Sequence, residues 1–148
     1  MGSRKRKSAE ARKEANKTLF VAKLMNNPTS PRKTRLVADL IRGVDVDKAL
    51  AILQYNPRES APKMRKLLLS AMANWQAKNE GARIEDNNLY VKEVKVDEGR
   101  TMKRMRTAPQ GRGYRIRKRS NHITIILGSR SAETPVANAT EETNNVNQ

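Results

Sequence analysis

Residues 99–119 have the sequence GRTMKRMRTAPQGRGYRIRKR, which contains nine lysines and arginines and no acidic residue. Pro109, Gly111 and Gly113 lie near its centre, where they favour a turn over a helix. An isolated two-stranded ribbon is only marginally stable in water, and the like charges of this one would also repel one another. We therefore expect a polyanion to lie on both sides of this stretch in the functional state.

Strand patterns flank this stretch on both sides. Segments 87–97 and 114–127 each carry alternating apolar residues, and together they predict a β-hairpin whose arm is residues 97–119. In the first strand the hydrophobic alternation changes phase between Leu89–Val91 and Val94–Val96. Such a change predicts either a β-bulge or a change of environment along the strand.

Three helices are predicted between an early strand, residues 18–25, and this hairpin. The dipeptide Ser30–Pro31 is a favourable helix start, and Gly43 is a favourable stop. Two further helices are predicted, over residues 45–55 and from residue 58 or 60 to residue 78. Apolar residues at helical spacing predict the core-facing stripes, which are Leu36, Val37, Leu40 and Ile41; Val46, Ala49, Leu50 and Leu53; and Ala61, Met64, Leu68, Ala71 and Trp75.

This order of elements predicts an α+β fold, with three helices packed on a small antiparallel sheet and a long, protruding, basic β-hairpin. With 148 residues in the chain, we expect a single domain over residues 18–130. Residues 1–17 form a basic extension, expected to be disordered or helical only when bound. Residues 131–148 are polar and weakly acidic, and we expect them to be a disordered tail.

The net charge of +16 indicates a polyanionic partner, either nucleic acid or an acidic membrane. The sequence contains no cysteine, which excludes disulfides, thiolate metal sites and cysteine nucleophiles. No apolar run approaches the roughly 18 residues of a membrane span. These properties predict a soluble intracellular protein.

Residues suited to catalysis are few. His122 is the only histidine, and the sequence offers it no recognisable acid–base partner or companion metal ligand. A structural or RNA-contacting role is therefore favoured for His122. Trp75 continues a helical apolar stripe, which favours core packing. We expect no metal, no cofactor and no enzymatic activity.

Three classes of protein are considered as candidates for this sequence. The first is a structural RNA-binding protein, and the second is an architectural DNA-binding protein with a β-arm. The third, an RNA-modifying enzyme, lacks a plausible catalytic constellation. Tyr114 is the only aromatic residue in the arm, so recognition of the phosphate backbone and of shape is favoured over base stacking.

Several separate motifs resemble the L-twenty-two family of bacterial large-subunit ribosomal proteins. In chain order they are SPRKTRLVADLIRG at 30–43, VDEG at 96–99, MKR at 102–104, Gly111–Arg112, Lys118–Arg119 and HIT at 122–124. The similarity extends from about residue 18 to residue 130. It departs at the tip, where the family commonly has Pro-Arg-Ala-x-Gly-Arg and this chain has Thr-Ala-Pro-Gln-Gly-Arg at 107–112.

The resemblance implies a structural constituent of the large ribosomal subunit in the cytoplasm. Its partners would be large-subunit ribosomal RNA, neighbouring ribosomal proteins and, near the hairpin tip, the nascent polypeptide. It implies no membrane contact and no homo-oligomer. It also implies that the protein supports subunit assembly and that its hairpin extends to line the polypeptide exit tunnel.

Candidate site residues follow from the arm and from the matched motifs. The predicted RNA-binding residues are Ser30, Arg32, Lys33, Arg35, Arg100, Lys103, Arg104, Arg106, Arg112, Arg115, Arg117, Lys118, Arg119 and His122. The residues implied to form the tunnel-lining tip are Met105, Thr107, Ala108, Pro109, Gln110, Gly111 and Arg112.

Overall fold

The structure is a computed structural model that describes residues 3–17, 19–79 and 87–130. Four helices and three strands are present in these ranges. In chain order they are α1 (Ser3–Lys17), β1 (Phe20–Asn27), α2 (Pro31–Ile41), α3 (Val46–Tyr55), α4 (Ser60–Lys78), β2 (Leu89–Thr107) and β3 (Gly113–Ser129), with a single 3-10 turn, Pro109–Gly111, between β2 and β3.

The three strands form one antiparallel sheet in the order β1-β3-β2. Side chains that lie directly opposite one another on neighbouring strands point to the same face of the sheet. Three such rows form the core face: Phe20, Leu127 and Val91; Ala22, Ile125 and Val94; and Leu24, Ile123 and Val96. Helices α2, α3 and α4 pack against the sheet. The α+β prediction is therefore confirmed.

Register shifts interrupt both outer strands. In β2 the shift lies between Val91 and Glu93, at the position where the alternation changes phase, so of the two predicted explanations the structure supports the bulge. A second shift follows between Glu98 and Thr101, at the base of the arm. In β1 the register shifts between Leu24 and Asn27.

Most of the predicted helical core is buried, but α2 is rotated relative to its predicted stripe. Val37 and Ile41 are buried as expected, whereas Leu36 and Leu40 are 52% and 47% exposed. The small residues Thr34 and Ala38 are fully buried in their place. Relative to the predicted orientation, α2 is rotated about its axis so that Thr34 and Ala38 face the interior. Leu36 and Leu40 therefore lie on its outer side.

Side chains from the helices cover both edges of the sheet. Along β2, Arg35 donates to the Val96 carbonyl at 3.1 Å, and Arg42 donates to the Val94 carbonyl at 3.3 Å. Along β1, the Asn74 amide donates to the Val21 carbonyl at 3.2 Å. These bonds satisfy edge carbonyls that would otherwise be open to another strand.

The N-terminal extension forms helix α1 over Ser3–Lys17, so the described residues contain four helices where three were predicted. Helix α1 is rich in Ala, Lys, Arg and Glu, which have high helix propensity. An ion pair of 2.9 Å between Arg6 and Glu10, four positions apart, adds to its stability. The predicted disordered tail, residues 131–148, lies outside the described residues.

Candidate nucleic-acid interface

The arm is a two-stranded ribbon that extends beyond β1. Its seven consecutive pairs begin with Thr101 opposite Arg119 and end with Thr107 opposite Gly113. At about 3.3 Å per residue, these pairs span roughly 20 Å. The strands of the sheet thus continue directly into the arm, as the sequence predicts.

Both faces of the arm carry positive charge. On one face, Lys118, Arg104 and Arg106 lie beside Met102, Ile116 and Tyr114. On the other face, Arg119, Lys103, Arg117 and Arg115 lie beside Thr101 and Met105. Within the described part of the chain, none of the arm's cations forms an ion pair with a carboxylate. The arm is therefore built to meet a polyanion on two sides.

A close backbone approach shapes the base of the arm. An added Cβ at Gly99 would lie 2.9 Å from Ser120 Oγ and 3.2 Å from the Ser120 carbonyl carbon. Next to it, the Ser120 hydroxyl donates to the Arg100 carbonyl at 2.5 Å. A glycine at position 99 therefore allows β2 and β3 to stay close across the register shift.

The tip is a tight turn closed by backbone hydrogen bonds. The Ala108 amide donates to the Arg112 carbonyl at 2.8 Å. Gln110 and Gly111 both have positive φ, 61° and 69°. The residues at the tip are exposed except for the half-buried Ala108. Arg112 is thus held at the far end of the arm, beyond the last strand pair.

A groove of about 970 Å³ lies where the base of the arm meets the N-terminal ends of α2 and α4, and we call it the base groove. It brings together six of the predicted RNA-binding residues, namely Ser30, Lys33, Arg100, Arg117, Lys118 and Arg119. Arg58 from the turn before α4 adds a further cation. The one carboxylate in its lining, Glu59, accepts from Lys63 at 3.0 Å. The groove is therefore strongly positive.

Buried polar side chains support the floor of the base groove. The Asn121 amide nitrogen donates to the Thr29 carbonyl at 2.9 Å and to Thr34 Oγ1 at 3.0 Å. Thr34 Oγ1 also lies 3.1 Å from Ser60 Oγ. Thr29 and Ser60 line the groove and are themselves buried. The network fixes the starts of α2 and α4 relative to β3, and through β3 relative to the arm.

The other predicted residues are spread more widely. Lys103, Arg104, Arg106 and Arg115 lie along the arm, away from the groove. Arg32 is exposed in the first turn of α2 and does not line the groove. Arg35 is exposed, but its guanidinium binds the edge of β2. Its position combines a structural bond with access to solvent.

His122 has a structural contact. Its Nδ1 accepts the backbone N–H of Asn26 at 3.0 Å, in the irregular part of β1. Asn26 has a positive φ of 54° there. The hydrogen bond leaves Nε2 to carry the proton of the neutral ring. His122 therefore holds the end of β1 beside the base of the arm.

Two residues at the interface were missed in the sequence, Leu36 and Asn121. Leu36 lines the base groove and is 52% exposed, although an apolar stripe predicted a core position for it. Met102, which the resemblance matched to the hairpin arm, also lines the groove and is 46% exposed. Asn121 was not recognised as buried, yet it shares the buried phase of β3 with Ile123 and Ile125. A polar residue in that phase was the available signal.

Other classes of site find no support in the described ranges. Residues 3–17, 19–79 and 87–130 contain no group of three or more His, Cys, Asp or Glu side chains that could hold a metal ion. In the same residues, no helix is both long and apolar enough to cross a membrane.

Comparison with known proteins agrees with the geometry. The family model described as ribosomal protein L22p/L17e matches residues 22–128. The chain is 60% identical over 129 residues to the large ribosomal subunit protein uL22 of Flavobacterium psychrophilum, covering 87% of this chain and 94% of the relative. It is also 60% identical over 131 residues to the protein of that name from Bacteroides fragilis, covering 88% of this chain and 96% of the relative. The chain therefore belongs to the ribosomal protein L22p/L17e family.

Proposed function

We propose that this chain is a structural constituent of the large ribosomal subunit in the cytoplasm, and that it binds large-subunit ribosomal RNA through its arm and base groove. The observation that supports this most directly is the acid-free arm, which is cationic on both faces. A ribbon of this charge gains stability only when phosphates surround it. The names of the relatives, large ribosomal subunit proteins, agree with such a partner.

Each part of the chain has a place in this proposal. The domain over residues 18–130 docks on RNA through the base groove, while the arm, residues 97–119, inserts between RNA segments. By holding separate segments together, the protein supports assembly of the subunit. The basic extension and the tail, residues 131–148, lie outside the docking domain. Neighbouring ribosomal proteins, rather than a second copy, contact the remaining surface.

The tip of the arm is proposed to line the polypeptide exit tunnel, near the nascent chain. This part rests on the resemblance of the arm to the family hairpin, and on its geometry. The closed turn presents the side chain of Gln110 at the end of a ribbon that extends beyond the sheet. A photo-crosslinking amino acid at position 110 tests it in ribosomes stalled with a labelled nascent chain. Crosslinks to the chain are expected from position 110 and not from position 69 in α4.

Sedimentation of a cell lysate tests the main proposal. At low and high salt the full chain should migrate with the large subunit, since a threaded arm is held by shape as well as by charge. Migration with free protein or with nucleoid DNA would contradict the proposal. A variant that lacks residues 101–119 is the matched control, and it should leave the subunit when the salt concentration is raised.

A further inference from the structure

The base groove combines strong positive charge with two exposed apolar side chains, which a surface that binds only phosphates does not need. Leu36 from α2 and Met102 from the arm both line the groove, and both are about half exposed. Around them lie the cations Lys33, Arg100 and Lys118. A ligand that covers both parts must itself have an apolar surface and a negative charge.

A fully paired RNA helix does not fit this description. Its bases are stacked inside, and it presents phosphates and sugar hydroxyls to a protein. An unpaired nucleotide does fit, because its base has two apolar faces and its phosphates are charged. The volume of about 970 Å³ lies within the range of pockets that enclose small organic groups.

The side of the groove formed by the starts of α2 and α4 is fixed by contacts within the protein itself. Thr29 and Ser60 line the groove and are joined through Thr34 to the buried Asn121 network. Leu36 lies on α2 two positions after Thr34, so the same network fixes its backbone. The groove therefore offers a preformed surface, which reduces the ordering cost of binding.

From these observations we propose that the base groove receives an unpaired nucleotide that projects from an RNA strand. Its base packs on Leu36 and Met102, and its flanking phosphates lie against Lys33, Arg100 and Lys118. No Phe, Tyr or Trp is found in the described lining of the groove. The two aliphatic side chains therefore take the place of the aromatic platform found in other RNA-binding modules. This inference rests on the proposed function and adds a preference for one feature of RNA structure.

The test compares two RNA hairpins of the same length and charge, one fully paired and one with a single bulged adenosine. The full chain is titrated with each fluorescently labelled RNA at fixed salt, and binding is followed by anisotropy. The wild-type chain should prefer the bulged hairpin. Leu36→Ser should reduce that preference by about fivefold, the loss expected when part of one leucine is no longer covered. Met102→Gln should act in the same direction.

Matched controls lie close to each residue. Leu40→Ser changes an equally exposed leucine one turn further along α2, and Met105→Gln changes an exposed methionine further along the arm. Neither residue lines the groove, so both variants should retain the wild-type preference. Because all four side chains are exposed, thermal unfolding should stay at the wild-type temperature.

Each outcome has a separate meaning. Equal binding of the two hairpins by the wild-type chain would overturn the nucleotide proposal and leave RNA binding intact. A preference that survives both Leu36→Ser and Met102→Gln would also overturn it, because these two apolar side chains would then contribute nothing to recognition of the bulged nucleotide. Failure to bind either hairpin at low salt would contradict the proposed RNA-binding function itself.

Discussion

Asn121 Nδ2 donates to Thr34 Oγ1 at 3.0 Å, and this bond joins β3 to α2 across 87 positions of the chain. Asn121 is fully buried and also bonds to Thr29 and Asn27. In a low-dielectric interior, the hydrogen bonds of a network of this kind strengthen one another, although Asn27 Oδ1 is left without a partner in the described residues. The hydrogen bond between Asn121 and Thr34 thus fixes α2 against β3, the strand that continues into the arm.

The first prediction concerns this network. Asn121→Ala should lower the free energy of unfolding by about 3 kcal/mol, because it leaves the buried Thr29 carbonyl without its partner and removes one of the two hydrogen bonds of the Asn27 amide. Asn74→Ala, which removes an exposed amide from the edge of β1, should cost no more than about 1 kcal/mol. Urea denaturation measures both values. Equal losses in the two variants would contradict the role assigned to Asn121.

The second prediction separates the arm from the core. Replacing residues 101–119 with a short glycine-containing turn should change the unfolding temperature by only about 3 °C, because these residues make no core contact. Affinity for RNA at low salt should fall on the order of 100-fold. Thermal unfolding and filter binding provide the two measurements.

A milder variant keeps the length of the arm and removes charge. The substitutions Lys103→Gln, Arg104→Gln and Arg106→Gln should flatten the dependence of log affinity on log salt by roughly 0.7–0.9 for each lost phosphate contact. An unchanged salt dependence would show that these cations do not contact phosphate. Collapse of the fold in the variant without residues 101–119 would show that the arm belongs to the core.

The third prediction concerns Gly99. Gly99→Ala should lower stability by about 1–3 kcal/mol, because the new methyl group would press on Ser120. Adding Ser120→Ala should recover only part of the loss, since the backbone of residue 120 remains close. Urea denaturation gives the energies, and amide hydrogen exchange near the register shift shows where the structure opens. Wild-type stability for Gly99→Ala would mean that the strands separate there at no cost.

The fourth prediction concerns acid. The hydrogen bond from Lys48 lowers the pKa of Asp45, and the charge of Arg130 adds to the effect. Because the pKa is lower in the folded state, the contribution of Asp45 is present above its unfolded pKa of about 3.9 and is lost as the pH falls through the folded value. The difference in unfolding free energy between wild type and Asp45→Asn should therefore shrink from pH 6 to pH 3. Glu98→Gln is the control, because no ion pair of Glu98 is found in the described residues.

Local patterns predicted much of the fold. The phase change in β2 located its bulge, and the apolar spacing located the buried faces of α3 and α4, including Trp75. The basic stretch was correctly placed in a hairpin. The family assignment also confirms the prediction of a ribosomal protein, and with it that the chain is not an enzyme.

The failures have a common physical cause, since each depends on contacts between distant segments. The rotation of α2 depends on how closely Thr34 and Ala38 allow the helix to approach the sheet. The base groove forms only when residues from α2, the α4 start and the arm meet. Helix α1 is the exception, because its high helix propensity is a local property. The prediction gave more weight to its positive charge and to its lack of an apolar stripe.

The covered edges of the sheet have a consequence for the protein before it reaches its partner. Within the domain, side chains bond to carbonyls on both edges, namely Arg35 and Arg42 along β2 and Asn74 along β1. In the arm, no strand of the described residues pairs with the outer edges of β2 and β3. Open ribbon edges favour pairing between copies, and here mutual repulsion between the cations opposes it. We therefore expect the positive charge that suits the arm to a polyanion also to oppose edge-to-edge pairing between copies of the chain.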